Sequence, residues 1–294
     1  MRTALAKGFG GILPLAASLL AVASVSCGKA SNAYTPIDDM ETDLDTVEDH
    51  LARIKWSAPG KTPGFWSTST DCSQLDRILP EPFSVNPRGW SYSPVPTHET
   101  RPGVTSTHAA RLMTNPNKPP LVGIWGANMG FDFAEQTLMD GSSPWPPPAC
   151  VDAGTLDEPF KASVDLTDYS GLTFWAMAEA SGRQAIRVQV NDVSTDPRGG
   201  HCALGDPDNN CYNGFGIDLM LTNTFTQYSI YFSQLQQQPE WGHRSKLELR
   251  EIYGLNFQVN APSCATDPNA SCAGDPAPVS FVIWIDDVYY INRQ

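Results

Sequence analysis

The stretch Ala185-Ile186-Arg187-Val188-Gln189-Val190-Asn191 places apolar side chains at the even positions and polar side chains between them. Successive side chains of a β-strand point to opposite faces of its sheet, so this period of two predicts a strand. The apolar residues would then face a core, and Arg187, Gln189 and Asn191 would face away from it. The stretch therefore predicts a sheet with one buried face and one polar face.

Similar runs of β-branched and aromatic residues recur along the chain, separated by clusters of Gly, Pro, Asn and Asp, which is typical of strands. Helical patterns are scarce, and the 294 residues include 25 Pro and 23 Gly, which disfavours a helical bundle. Many short strands without intervening helices predict an all-β fold, an antiparallel β-sandwich. The runs cover residues 65–69, 108–114, 129–133, 172–178, 226–232, 252–259 and 281–290.

The composition and net charge of the chain disfavour one class of partner, nucleic acids. Hydrophobic residues make up 41% of the chain, enough for a sizeable core. There are 19 Lys and Arg against 32 Asp and Glu, which gives a formal net charge of −13. A phosphate backbone would repel such a surface, so we expect no nucleic-acid partner.

Residues 1–27 have the pattern of an export signal. Arg2 and Lys7 give a positive start, and the apolar stretch Ile12–Val25 follows. It is interrupted by Pro14 and is shorter than the roughly 20 residues of a membrane-spanning helix. This pattern predicts an exported protein.

The end of that signal indicates an anchor. Ser24-Val25-Ser26-Cys27-Gly28 resembles a bacterial lipoprotein signal, in which the cysteine becomes the lipid-modified N-terminus. The alternative is plain secretion, with cleavage after Ala23. The lipoprotein interpretation predicts a lipid on Cys27 that holds the protein on a membrane, facing the periplasm or the cell surface. A short tether at 28–35 and a single domain at 36–294 would follow.

The seven cysteines agree with this interpretation. If Cys27 carries a lipid, six cysteines remain for three disulfides in an oxidising compartment. Pairing within each local loop is the simplest arrangement, and no spacing suits a zinc site. The predicted bonds are Cys202 with Cys211, Cys264 with Cys272, and Cys72 with Cys150.

Three segments carry a resemblance to a known family. The chain has Ile37-Asp38-Asp39-Met40-Glu41 near its start, Asp168-Tyr169-Ser170-Gly171-Leu172-Thr173-Phe174-Trp175-Ala176 in the middle, and Trp284-Ile285-Asp286-Asp287-Val288 near its end. In that order they resemble the galactose-binding-like jelly rolls of carbohydrate-binding modules, especially family 11 and CIA30-type relatives. The resemblance spans residues 36–291. It implies a β-jelly roll whose concave face holds a glycan, often with a structural Ca²⁺.

The residues themselves are compatible with a sugar face. Arg187 and Gln189 lie on the polar side of one predicted strand, and Asn256 and Gln258 lie on the polar side of another. Amide and guanidinium groups suit sugar hydroxyls, which both donate and accept hydrogen bonds. The alternative is that these four side chains merely face water.

Aromatic rings stack on the apolar face of a pyranose, and Trp175 and Trp125 are the candidates for such a platform. Trp284, within the apolar closing run, is expected in the core.

The resemblance also implies a calcium site where the first and last strands meet. Carried over by motif, Glu41 and Asp286 are its expected ligands. Calcium takes 6–8 oxygen ligands, so these carboxylates would need further oxygens from loops. The alternative is a pair of solvated carboxylates at strand ends.

Catalysis has little support in the sequence. The five histidines are scattered, and the chain has no nucleophile elbow, metalloprotease motif or phosphate loop. His201 would be the first candidate base of a polysaccharide lyase. We therefore expect an exported, lipid-anchored protein that binds carbohydrate without catalysis. The alternatives are a carbohydrate-active enzyme, either a lyase or a hydrolase, and a structural or adhesive surface protein without a sugar site.

Overall fold

The structure is a computed structural model. It describes residues 33–41, 53–70, 76–79, 93–101, 104–119, 126–135, 161–182, 184–203, 206, 208–239, 241–259 and 280–294. The described residues from Ala33 onward belong to one compact unit. The predicted signal, Cys27 and most of the predicted tether lie outside the described residues. Within the described part, no helix has the length and apolar character that a membrane crossing requires.

One sheet has seven strands, and every pairing in it is antiparallel. The last described strand lies at the centre of this sheet. Part of it pairs with the first described strand. The path runs β12 (Thr226–Tyr231), β9 (Tyr169–Ala178), β14 (Val282–Asn292), β6 (Val104–Thr114) and β4 (Ile78–Leu79), with β1 (Tyr34–Asp38) beside β14 and β5 (Ser93–Arg101) beside β6.

The second sheet has five antiparallel strands and contains the alternating run at 185–191. Its order is β11 (Phe215–Met220), β10 (Ala185–Asp192), β13 (Ile252–Val259), β7 (Ala127–Asp132) and β3 (Trp66–Thr70). A small ribbon joins β2 (Thr62–Pro63) to β8 (Ala134–Glu135). The predicted antiparallel β-sandwich is confirmed, and the run at 185–191 is a strand with the expected facing.

The apolar sides of the two sheets meet in one core. Phe174 of β9 contacts Phe257 of β13 edge to face, with ring centroids 5.1 Å apart. Trp66 of β3 stacks near the same Phe257 at 6.2 Å. Aromatic contacts of this kind add to the burial of apolar area that holds the two sheets together.

The two ends of the described chain meet at β14. This strand pairs with β6 through residues 282–285 and with β1 through residues 288–291. Asp287, with φ +46°, lies at the bulge where the partner changes. The change of partner brings Glu41, three residues after the end of β1, against β6.

Glu41 is held by four donors from β6. Its carboxylate accepts hydrogen bonds from the Ser106 hydroxyl (2.7 Å), the Thr107 N–H (2.7 Å), the Thr107 hydroxyl (2.8 Å) and the His108 N–H (2.8 Å). Partial burial opposes ionisation, but the hydrogen bonds from Ser106, Thr107 and His108 outweigh it and lower the pKa of Glu41 to about 2. The ionised form of Glu41 is therefore the one that joins the start of the chain to β6.

The only disulfide among the described residues joins Cys202 to Cys211 in the loop between β10 and β11. Their Cα atoms are 5.1 Å apart, within the usual range for a disulfide. This predicted bond is confirmed. The other two predicted bonds involve Cys72, Cys150, Cys264 and Cys272, which lie outside the described residues.

Replacing Glu41 by Gln should weaken the acid dependence of stability. A depressed carboxyl pKa stabilises the fold fully above the unfolded value of 4.5, and the contribution is lost as pH falls towards 2. Urea unfolding at pH 6 and pH 3 should therefore show a smaller loss of unfolding free energy in Glu41→Gln than in the wild type. Glu179→Gln, at an exposed position, is the matched control, and a variant indistinguishable from it would contradict the prediction.

Removing the Cys202–Cys211 bond should lower the free energy of unfolding by about 2–3 kcal/mol, because the short loop gains chain entropy when unfolded. The measurement is urea denaturation of the double variant Cys202→Ser/Cys211→Ser. Peptide mapping without reductant provides the control for connectivity. A map that pairs Cys211 with any cysteine other than Cys202 would contradict the structure.

Candidate functional site

Two cross-strand pairs form the centre of the candidate site. On the outward side of the five-stranded sheet, Arg187 of β10 lies opposite Gln258 of β13, and Gln189 lies opposite Asn256. The amide of Gln189 donates to the amide oxygen of Gln258 at 3.3 Å. The four residues expected to form a sugar face therefore lie together on adjacent strands.

Further polar side chains continue the row across the sheet. Asn128 of β7 lies opposite Gln258, and Ser69 of β3 lies opposite Asn128 and donates to its amide oxygen at 2.8 Å. On the other side, the Arg187 guanidinium is 3.4 Å from Asp218 of β11. We call this surface the polar face; its members are Ser67, Ser69, Asn128, Asp132, Arg187, Gln189, Asn191, Asp218, Asn256 and Gln258.

Glycines leave space on the surface of the sheet between these polar side chains. A Cβ atom on Gly130 would lie 2.6 Å from Oδ1 of Asn256, and one on Gly216 would lie 2.9 Å from Nε of Arg187. Such distances are below those of real Cβ contacts, so larger residues would displace the polar groups. The glycines therefore let the amide and guanidinium groups lie along the sheet.

Burial divides the predicted sugar ligands into two classes. Arg187 is 5% exposed and Gln189 is 7% exposed, whereas Asn256 and Gln258 are half-buried. The Arg187 guanidinium also donates to the backbone oxygen of Gln236. Arg187 and Gln189 are thus held by the protein, and Asn256 and Gln258 are the more accessible pair.

Two buried polar atoms on this face have no hydrogen-bond partner among the described residues. They are Nε of Arg187 and Oδ1 of Asn191, and Asn191 is 4% exposed. A buried polar atom without a partner is costly, and native proteins usually satisfy it with water, an ion or a ligand. The polar face therefore has donor and acceptor capacity that its own side chains leave unused.

The tryptophan candidates do not join this face. Trp175 is on β9 of the other sheet, opposite Gln227 and Asp286, so it cannot stack on a sugar that lies on the polar face. Trp125 lies outside the described residues. Trp284 is buried as expected, but it lies on the outward side of β14, where the Arg111 guanidinium covers its ring at 5.1 Å. Tyr253 of β13 is the aromatic residue at the β13 bulge; it lies outside the apolar core, near Asp196.

Trp175 instead belongs to a cluster around Asp286. The His98 ring stacks on Phe225 with centroids 3.8 Å apart and lies 6.3 Å from Trp175. Nε2 of His98 is 2.9 Å from Oδ2 of Asp286. Burial raises the pKa of Asp286 to about 6, although contacts with His98 and Ser106 oppose the rise.

Glu41 and Asp286, the predicted calcium ligands, both contact other groups of the protein. The chain ends do bring both carboxylates near Ser106, but Glu41 already accepts four hydrogen bonds and Asp286 faces His98. Protein donors thus already bind the Glu41 oxygens that calcium would need, whereas Oδ2 of Asp286 is buried without an aligned hydrogen bond from the described residues. No cluster of three or more His, Cys, Asp or Glu suited to a metal occurs in the described ranges. Calcium binding by Glu41 and Asp286 stays a prediction.

One end of the polar face carries charged groups that the sequence analysis did not single out. Nζ of Lys161 lies 3.3 Å from Asp132 and 3.6 Å from the buried Asp196. Burial, together with the charge of Asp196, raises the pKa of the nearby Tyr253. Asp132 and Asn128 were detectable, because they occupy alternate positions of the predicted strand region, whereas Lys161 lies in no periodic run. His201 is exposed on the loop after β10.

No family model and no curated protein matches the chain. Among solved structures, it is similar to the family 11 carbohydrate-binding module of the cellulosomal cellulase Lic26A-Cel5E of Clostridium thermocellum, at 12% identity and TM-score 0.38, over 88% of this chain and 95% of that chain. A family 11 carbohydrate-binding module from Clostridium thermocellum in complex with a β-1,3-1,4-mixed-linked tetrasaccharide gives 13% identity and TM-score 0.37, over 89% of this chain and 98% of that chain. A family 30 carbohydrate-binding module gives 11% identity and TM-score 0.33, over 69% and 87%. These structural neighbours are carbohydrate-binding modules with β-sandwich folds.

Proposed function

We propose that this chain binds carbohydrate without catalysis and that the polar face holds the glycan. The observation that carries the proposal is the pair of cross-strand contacts, Arg187 with Gln258 and Gln189 with Asn256. They bring four planar hydrogen-bonding groups together on two adjacent strands. Groups of this kind match the mixed donors and acceptors of sugar hydroxyls.

The accessible amide groups of the polar face support the same ligand class. The half-buried amides of Asn256 and Gln258 each donate to and accept from a sugar hydroxyl, whereas an apolar ligand would do neither. Recognition on this face therefore depends on hydrogen bonds, and each contributes only about 0.5–1.5 kcal/mol net.

The proposal includes export and a lipid on Cys27. Arg2, Lys7 and the apolar stretch before Cys27 support it. A diacylated cysteine places two chains in the membrane, which suffices for stable attachment. The glycan site would then act at a membrane surface, in the periplasm or outside the cell.

Gln258→Ala should lower the affinity for glycan about tenfold, near 1.4 kcal/mol, with little change in melting temperature. A glycan array of the purified protein selects the oligosaccharide, and isothermal titration measures the affinity. Gln227→Ala, an exposed glutamine on the other sheet, is the matched control and should bind as the wild type does. Arg187→Ala should mainly lower the melting temperature, because Arg187 is buried and bonded to Gln236.

If Gln258→Ala binds glycan with the same affinity as the wild type, the polar face is not the glycan site. The site then lies elsewhere on the protein or does not exist. Release of reducing ends or unsaturated sugars from a bound polysaccharide would favour the enzyme alternative instead.

Cys27→Ser should move the protein from the detergent phase to the aqueous phase of a Triton X-114 extraction, because the acylated side chain is lost. Ser31→Ala, just beyond the signal, is the control and should stay in the detergent phase. Unchanged partitioning of Cys27→Ser would reject the anchor.

A further inference from the structure

A pocket of about 450 Å³ opens beside the edge of the five-stranded sheet. This volume is within the range of about 300–1,000 Å³ that is usual for small-molecule sites. The pocket is formed by β11, by the 3₁₀ helix Phe232–Gln234 and by residues 244–247. Phe232 and Leu235 in its lining are 5% and 7% exposed, so part of its wall is apolar.

The charged groups in this lining are all cationic. Arg244 and Lys246 line the pocket, and none of the lining residues is a carboxylate. Lys246 makes no hydrogen bond or ion pair with the described residues, and the Arg244 guanidinium donates only to the backbone oxygen of Gln238. We call this the basic pocket.

Five other cations of the described chain form an ion pair with a carboxylate. Examples are Arg53 with Glu135, Lys118 with Asp76, and Lys161 with Asp132. In a protein of formal net charge −13, two neighbouring cations without a carboxylate partner among the described residues make the local potential more positive. An anionic group is therefore attracted to this place and repelled by most of the remaining surface.

The basic pocket also continues the polar face. Gln236 lines the pocket, pairs with Gly216 of β11, and accepts a hydrogen bond from Arg187 through its backbone oxygen. The row of polar side chains that crosses the sheet from Ser69 to Arg187 thus ends next to the pocket. Ser245, which also lines the pocket, has a hydroxyl without a hydrogen-bond partner among the described residues.

We propose that the basic pocket binds the acidic group of a sugar unit, a carboxylate or a sulfate ester, in a glycan that lies across the polar face. This inference rests on the proposed function and adds a ligand class to it. Guanidinium groups bind carboxylate and sulfate oxygens in pairs, and lysine adds a point charge. The apolar wall of Phe232 and Leu235 contacts the carbon skeleton of the same sugar unit.

The test compares two matched pairs of probes. One is tetragalacturonate with its carboxyl-reduced form, and the other is a sulfated carrageenan tetrasaccharide with its desulfated form. The wild type should bind the acidic member of at least one pair about tenfold more tightly, and this preference should shrink between 0.05 and 0.5 M salt. The pair that shows the preference identifies the acid.

The double variant Arg244→Gln/Lys246→Gln should lose the preference and bind the neutral member as the wild type does. The control Lys61→Gln/Arg293→Gln removes the same charge from exposed positions elsewhere and should keep the preference. If both double variants lose the preference for the acidic member, the preference comes from the overall charge of the protein. That result would refute the basic pocket as the acid site. Circular dichroism of each variant checks that the fold is intact.

Failure of this inference differs from failure of the proposed function. If the wild type binds the neutral and acidic members equally and Gln258→Ala loses binding, the basic pocket is refuted as an acid site and the polar face is retained as the glycan site. Acid preference that survives in Gln258→Ala and disappears in Arg244→Gln/Lys246→Gln would keep the pocket and overturn the polar face. Wild-type protein that binds no member of either pair would overturn the pocket as an acid site, and the glycan array then decides the polar face.

Discussion

Burial of every second side chain between the two sheets is the constraint on which the other features depend. Val188 and Phe257 pack into the core and are fully buried. A strand cannot turn one residue inward without turning the next outward, so Arg187 and Gln258 must share the opposite face. The antiparallel register of β10 and β13 then sets them directly across from each other. The polar face is thus a consequence of how the core is packed.

Local periodicity was enough to predict much of the fold. The runs at 226–232 and 252–259 are β12 and β13 almost residue for residue. Periodicity did not predict the strands whose local sequence is unfavourable for a strand. Pro94 and Pro96 argue against a strand, yet β5 tolerates them because it pairs only with β6. The edge strand β11 starts with Phe215-Gly216 after a loop rich in Asn and Gly, and its short alternation was not recognised.

For the candidate site, the sequence predicted the facing of each side chain within its own strand, but not which strands lie together. Periodicity indicates which side of a strand a residue occupies, but not which sheet the strand joins. Trp175 has a clear position on β9, and only the long-range pairing of β9 with β14 and β12 shows that it faces away from the polar face. The meeting of Glu41 and Asp286 followed from the paired chain ends. Their actual partners, Ser106 and His98, come from the β5–β6 hairpin, which no local pattern connects to either residue.

The pairing of β1 with β14 has a mechanical consequence. Tyr34 lies opposite Ile291, and the N–H of Asn292 donates to the oxygen of Ala33, so the chain enters and leaves this ladder side by side. Tension applied at these two points loads the antiparallel ladder from one end and breaks its hydrogen bonds one after another, instead of shearing them together. The β1–β14 ladder is thus the part of the sandwich that yields first to pulling, while the β10–β13 register lies off the line of force.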